Sequence, residues 1–471
     1  MNRNSLVKFL SGCRRIICVG VLVLSPEASL RAQTNELKRM PPPAPRRPSI
    51  ILILADNLGY GDLGCYGQTK IKTPNLDRLA KEGIRFTSFY AGSPEDAAAR
   101  AVLLTGLEPR HLHAEFNQTL PTGAVTVAAL LKQQGYHTGL LGEWGLGDTG
   151  AATPDKNGFD EFGGFLNAGH ARNYYSDRLW RHDPTPNQEE QIFDGFTVFP
   201  ENENGKRGRY IPDLLSDMAV NFVRINKPEL LNHYRPFFLC LSYPIPHVSA
   251  NAAPPSGSEY SDAPWPPLER IRATLISRMD DGIGQLLKKL DELKISTNTV
   301  VIFTSVGGPQ TEHMMTTNFF NSTGILRGEQ GSLNEGGLRV PLVIRWPAEI
   351  SGGKVSDLTC AGWDFLPTAA EIAMLPSPKK MDGFSLMPAL LGQVQTNRHE
   401  LLYWEKHENG FKQAVRVGDW KAIRNEAGQP LELFNLKTDP AEKENTATNH
   451  ADVVAKVEKL LTAVRKEEGQ P

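Results

Sequence analysis

The chain has 471 residues, with 51 basic and 53 acidic side chains and a formal net charge of −2. That length exceeds one small domain and suits a large α/β core with a smaller unit beside it. The near balance of charge argues against a general nucleic-acid binder and against a membrane-surface binder.

The first 32 residues read as an export signal. Arg3, Lys8, Arg14 and Arg15 precede the apolar run from Ile16 to Leu24, and Ala28-Ser29-Leu30-Arg31-Ala32 offers a cleavage site. An uncleaved anchor is the other reading, but the run is shorter than the ~20 residues a span needs. The expected location is therefore periplasmic or extracellular, with no integral membrane segment beyond the signal. Residues 33–48 are polar and then Pro-rich (Pro41-Pro42-Pro43-Ala44-Pro45), which reads as a linker.

A domain over 49–395 then opens with the uninterrupted apolar run Ser49-Ile50-Ile51-Leu52-Ile53-Leu54. Such runs mark strands buried on both faces, as in parallel sheets. Further candidate strands are 137–141, 237–241, 299–303 and 341–346. Helical patterns fall between them over 75–82, 97–104, 125–134 and 277–293. The alternation predicts a doubly wound, mainly parallel α/β sheet. Beyond about residue 395 the texture changes to short strand-like runs at 401–405, 413–417, 420–423 and 431–436, then a helix pattern over 451–467. Residues 396–471 thus read as a small antiparallel sheet with one helix. Of the cysteines, Cys13 and Cys18 fall in the signal. The remaining Cys65, Cys240 and Cys360 form no CxxC or Cys/His cluster, so zinc is not indicated and buried free thiols are expected.

Ligands of open α/β sheets bind beyond the carboxyl ends of the strands. The residues there are Asp56-Asn57, Glu143-Trp144-Gly145, Pro246-His247 and Val306-Gly307-Gly308, and they should converge on one crevice. Asp56 and Asn57 offer oxygens to a cation, or Asp56 bonds loop amides as aspartates in turns do. His247 reads as a catalyst or as a satisfied structural histidine.

Several ordered motifs bring a family into view. Asp56-Asn57-Leu58-Gly59-Tyr60-Gly61-Asp62 and Thr73-Pro74-Asn75-Leu76-Asp77-Arg78-Leu79 closely resemble the opening of type I sulfatases. Leu103-Leu104-Thr105-Gly106, Gly142-x-Trp144-x-Leu146-Gly147, Glu335-Gly336-Gly337-Leu338-Arg339-Val340-Pro341, Val415-Arg416-x-Gly418-Asp419-Trp420-Lys421 and Glu432-Leu433-Phe434-Asn435-Leu436 continue the resemblance over nearly the whole mature chain. It implies the alkaline-phosphatase-like fold. It also implies sulfate-ester hydrolysis by a formylglycine made from the cysteine of C-x-P-S-R, with calcium or magnesium held by three acids and an amide, and sulfate held by lysines, histidines and the signature arginine.

Position by position, the resemblance keeps little of that chemistry. The arginine is Arg100, but the nucleophile position is Asp96, and the Pro and Ser positions are Ala98 and Ala99. The first metal pair is Asp56 and Asn57, and the later pair is Val306 and Gly307. The Lys-Trp-His triplet becomes Glu143-Trp144-Gly145, and the late lysine falls at Gln330; of the anion-binding set His247 and Arg100 remain. A sulfate ester needs surplus positive charge in the transition state, and these replacements remove it. The resemblance with its departures therefore implies a sulfatase-like pseudoenzyme with no cofactor. Asp56 and Asn57 are what remains to hold a residual divalent cation. The expected partners are a sulfated or other glycan, or a protein. An active sulfuric- or phosphoric-ester hydrolase using Asp96 or Glu143, or a subunit stabilising an active paralogue, are the alternatives. Ser93-Pro94-Glu95-Asp96 reads as a helix start with Ser93 as N-cap, Pro94 as first helical residue and Asp96 reaching back to the cap amide.

Overall fold

The computed structural model describes residues 47–112, 119–121, 123–182, 195–249, 251–257, 259–311, 316–376, 378, 381–407 and 410–467. The expected signal and nearly all of the linker lie outside the described residues. Among the described residues, no helix is long and apolar enough to cross a membrane.

The apolar runs become the middle of a ten-stranded sheet. Its order is β11 (Lys354–Ser356), β2 (Ile84–Phe86), β10 (Leu342–Arg345), β9 (Thr299–Ser305), β1 (Ser49–Ala55), β8 (Phe237–Ser242), β4 (His137–Glu143), β5 (Glu161–Phe165), β6 (Arg178–His182) and β7 (Gly195–Val198). The five strands from β9 to β5 run parallel, while β10, β6 and β7 join antiparallel to a neighbour. In β1 every residue is buried. Successive side chains point to opposite faces, so Ile50, Leu52 and Leu54 enter one hydrophobic core and Ile51, Ile53 and Ala55 the other. Helices cover both faces, as the α/β reading expects. The main ones are α1 (Pro74–Lys81), α2 (Asp96–Thr105), α3 (Val127–Gln133), α4 (Ile211–Asn226) and α5 (Pro267–Glu292).

Helix α5 begins ten residues before the expected start at Ser277. Its first turns bury Glu269 and Arg272, and Arg272 pairs with the fully buried Asp62 at 2.8 Å. A charged residue on the inner face hides the apolar period there. The three thiols are free, with Cys240 and Cys360 buried and Cys65 half-buried.

The C-terminal run folds as the four-stranded antiparallel sheet β13 (Leu402–Lys406), β14 (Lys412–Val417), β15 (Trp420–Arg424) and β16 (Glu432–Asn435), followed by α6 (Ala451–Glu467). Alternation again divides its side chains. Tyr403, Val415 and Leu433 pack with Val457 and Leu461 of α6, while Leu402, Trp404, Ala414 and Phe434 join one core of the large sheet. The seam between the two sheets also holds buried charge. Lys421 lies 2.9 Å from Glu335 and 3.1 Å from Glu442, and all three are fully buried. The Tyr90 hydroxyl donates to Glu335 at 2.7 Å and accepts from Arg416. The Trp404 indole donates to the Ala91 carbonyl at 3.0 Å.

Candidate functional site

Asp56 and Asn57 follow β1, Glu143 ends β4, and His247 follows β8 by way of Pro246. Helix α2 brings Asp96 and Arg100 to the same edge of the sheet. The expected cap does not form. Helix α2 starts at Asp96 with Glu95 as its N-cap residue. The Ser93 hydroxyl instead accepts from the Glu95 amide at 3.2 Å, so the chain is still turning where the helix was expected to begin. The Asp96 carboxylate is drawn away from the cap because two side-chain amides bind it. Asn57 Nδ2 donates to it at 3.0 Å and Gln330 Nε2 at 2.9 Å.

Behind Asp96 lies the buried guanidinium of Arg100. Its Nη2 is 3.3 Å from Asp56 and 3.3 Å from Glu143, and its Nη1 donates to the Ser242 hydroxyl at 2.5 Å. Three carboxylates thus gather around one guanidinium. Burial, then the charges of Glu143 and Asp96, push Asp56 well above the ordinary carboxylate range, against the pull of Arg100 and Arg172. Burial likewise raises Asp96, against its bonds from Asn57 and Gln330, and raises Glu143, against Arg100. Removing charged groups from water disfavours the ionised carboxylate, and Arg100 and Arg172 together do not offset it.

A cleft of about 820 Å³ opens onto Asp96, Arg100, Glu143, Gly145 and Gln330. His247, Asp56 and Asn57 are not among its lining residues. The His247 ring is buried with Nε2 3.2 Å from Gln310. The expected convergence therefore holds at the sheet edge, while the histidine sits behind the crevice wall. Arg172, Lys406 and Asp148 also line the cleft and were not singled out from sequence. Arg172 follows a four-residue helix with no apolar run to flag it, and Lys406 ends β13 in the other sheet. Ser242 was findable, being the last residue of β8.

A divalent cation of the kind implied by the resemblance finds a poor cradle. Val306 and Gly307 bring no side-chain oxygen. Asn57 Nδ2, a hydrogen-bond donor, faces Asp96 and lies 3.4 Å from Asp56. Asn57 Oδ1 is buried without a hydrogen-bond partner, and a Cβ at Gly307 would stand 2.8 Å from it. Among the described residues no group of three or more His, Cys, Asp or Glu is arranged to hold a metal ion. Calcium takes about 6–8 oxygens, and these residues do not fit it.

A mainly parallel α/β sheet whose strand tips build a crevice over a buried arginine, with a small antiparallel sheet beside it, is the alkaline-phosphatase-like fold that the motif order implies. The chain belongs to the sulfatase family. The family model described as Sulfatase matches residues 48–375, and that described as N-sulphoglucosamine sulphohydrolase, C-terminal, matches 330–467. Among curated relatives, N-acetylgalactosamine-6-O-sulfatase of Bacteroides thetaiotaomicron is 30% identical over 89% of this chain and 93% of its own length. Human arylsulfatase A is 33% identical over 80% of this chain and 75% of its own. Among solved structures, Ps i-CgsB in complex with k-i-k-neocarrahexaose superposes with a TM-score of 0.75 at 29% identity, covering 89% of this chain and 93% of that one.

Proposed function

We propose that this protein is an exported member of the sulfatase family that does not hydrolyse sulfate esters, holds no resident divalent cation, and uses its crevice to hold a glycan-like or protein ligand without turnover. The observation that carries this reading is Asp96. At the start of α2, in the position matching the family's nucleophile, stands a carboxylate already bonded to Asn57 and Gln330. It has no thiol or hydroxyl to become an aldehyde hydrate. Arg100, the cation that would meet a sulfate, is engaged by Asp56 and Glu143. A sulfate ester entering the crevice meets acids where its transition state needs positive charge. The solved complex of a relative with neocarrahexaose supports a sugar-type ligand.

A second reading rests on the raised carboxyls of Asp96 and Glu143 in one cleft, since perturbed pairs mark acid–base sites. It makes the protein an ester hydrolase with carboxylate chemistry. One experiment separates the two: turnover of chromogenic aryl sulfate and aryl phosphate by the purified wild type, Asp96→Ala and Asp96→Cys, the last coexpressed with a formylglycine-generating enzyme. The expected result is no turnover above a protein-free blank for any of them. Ala98 and Ala99 leave the maturation motif incomplete even with the cysteine restored. Wild-type turnover that Asp96→Ala removes would establish the carboxylate hydrolase instead.

A further inference from the structure

A second cleft, of about 890 Å³, shares no lining residue with the crevice among the described residues. Leu402, at one end of β13, lines it, whereas Lys406, at the other end, lines the crevice. Four steps along the strand separate them by ~13 Å, so the two clefts open at opposite ends of the seam between the sheets. Their charges differ. The crevice carries Glu95, Asp96, Glu143 and Asp148 against Arg100, Arg172 and Lys406. The second cleft carries Arg339, Lys354, Arg398, Arg416 and Lys437 against Asp357 and Asp419.

Two of these cations are fixed in the wall. Arg339 Nε donates to the Thr87 carbonyl at 2.6 Å, and Arg416 Nε donates to the Gly418 carbonyl at 3.0 Å while its Nη1 bonds the Tyr90 hydroxyl. The other three, Lys354, Arg398 and Lys437, make no ion pair and no side-chain hydrogen bond among the described residues. Some other surface cations, Arg78, Lys132, Arg178 and Lys289 among them, pair with carboxylates, while others, such as Lys81 and Lys288, do not among the described residues. Unpaired like charges converging on one concavity attract counter-ions into it, because low-dielectric walls focus the field. The lining also brings neutral hydrogen-bonding groups, Ser356, Thr359 and Gln393, and among the described residues no Phe, Tyr or Trp. A nucleotide or single-stranded nucleic acid would use a stacking face there. Dispersed cations with hydroxyls and amides alongside them suit a ligand whose anionic groups are spread among hydroxyls. The volume lies within the range of small-ligand clefts.

We infer that this cleft is a non-catalytic binding site for an oligosaccharide bearing sulfate esters. It stands on its own residues and does not depend on whether the crevice is active. The test is calorimetric titration of the full chain with a sulfated hexasaccharide, its desulfated counterpart, inorganic sulfate and an acidic hexapeptide. The proteins are the wild type, the triple variant Lys354→Glu/Arg398→Glu/Lys437→Glu, and the crevice variant Arg172→Glu/Lys406→Glu. The three reversed side chains hold no partner among the described residues, so the triple variant should melt as the wild type does. The single variant Lys437→Glu, expected to weaken binding about threefold, serves if it does not. The expected result is binding of the sulfated hexasaccharide that falls with added salt, is lost on desulfation, drops at least tenfold in the triple variant and changes less than twofold in the crevice variant. Unchanged affinity in the triple variant overturns the assignment, as does a loss confined to the crevice variant. Equal binding of inorganic sulfate or of the acidic peptide also overturns it, since the cleft would then be a general anion site.

Discussion

Lys421 and Arg100 are both buried cations, and each lies between two carboxylates: Glu335 and Glu442 at the seam, Asp56 and Glu143 at the crevice. Their surroundings set them apart. At the seam, Arg339 and Arg416 add positive charge, and together with Lys421 they hold Glu335 below the usual range although burial pushes it up. Glu442 is raised, by burial first and by Glu335 next, with Lys421 pulling the other way. At the crevice a third carboxylate, Asp96, joins, and all three acids are raised. One grouping is a joint with its charges matched. The other is an excess of acid, three carboxylates around Arg100 with Arg172 as the further cation acting on them. A buried ion pair contributes stability only when geometry and further hydrogen bonds offset desolvation, so burial alone does not say what a charged cluster is for.

The largest expected effect is at the seam. Lys421→Met strands Glu335 and Glu442 without their shared cation, and breaking such a buried group costs about 3–5 kcal/mol. The urea midpoint of the variant checks this, and a loss below about 1 kcal/mol would show that the seam's charges are not matched in the way described. A smaller effect of opposite sign is expected at the crevice from Glu143→Gln. An acid whose folded pKa is raised costs the folded state nothing below its unfolded value. It destabilises that state increasingly as pH rises through the folded value. Removing the charge should therefore raise the melting temperature by roughly 2–4 °C at about pH 8, the response of a large domain to about 1 kcal/mol. The gain should shrink as pH falls and vanish in the ordinary glutamate range. A variant that melts lower at every pH would mean that Arg100 depends on Glu143 as Lys421 depends on its partners. The smallest expected effect is that of metal. Millimolar calcium or a chelator should leave the melting temperature unchanged, because the nitrogen of Asn57 and the bare backbone of Gly307 stand where cation ligands would. A calcium-dependent rise would contradict the reading of the crevice as a site without a cation.

The buried middle of the large sheet was legible because its strands are apolar on both faces, as in β1 and β8. The C-terminal sheet was legible from its short runs and turns. The outer strands were not. In β6 and β7 most residues are exposed or half-buried, so no apolar pattern marks them. Helix α4, absent from the expected elements, carries its pattern openly, with Ile211, Leu215, Ala219 and Phe222 buried on one face. The strand-tip residues of the site followed from topology, and their correspondence to a known site followed from motif order. What no local pattern could give was the direction of a side chain. Ser93 and Asp96 have the spacing of a cap, but the amides that redirect Asp96 arrive from positions 57 and 330. Lys406 reaches the crevice from a sheet that reads as separate from it.

The fit of Asn57 against Gly307 ties the two positions together. Any side chain introduced at 307 begins with a Cβ 2.8 Å from the Asn57 amide oxygen, and Asn57 is fully buried with its backbone at φ 65°. Turning that amide aside means giving up its bond to Asp96. A carboxylate at 57 would keep an oxygen in the same place, so Asn57→Asp alone opens no room, and a side chain at 307 requires the one at 57 to turn. The two positions are coupled by shape: what can stand at 307 is decided by how the side chain at 57 lies.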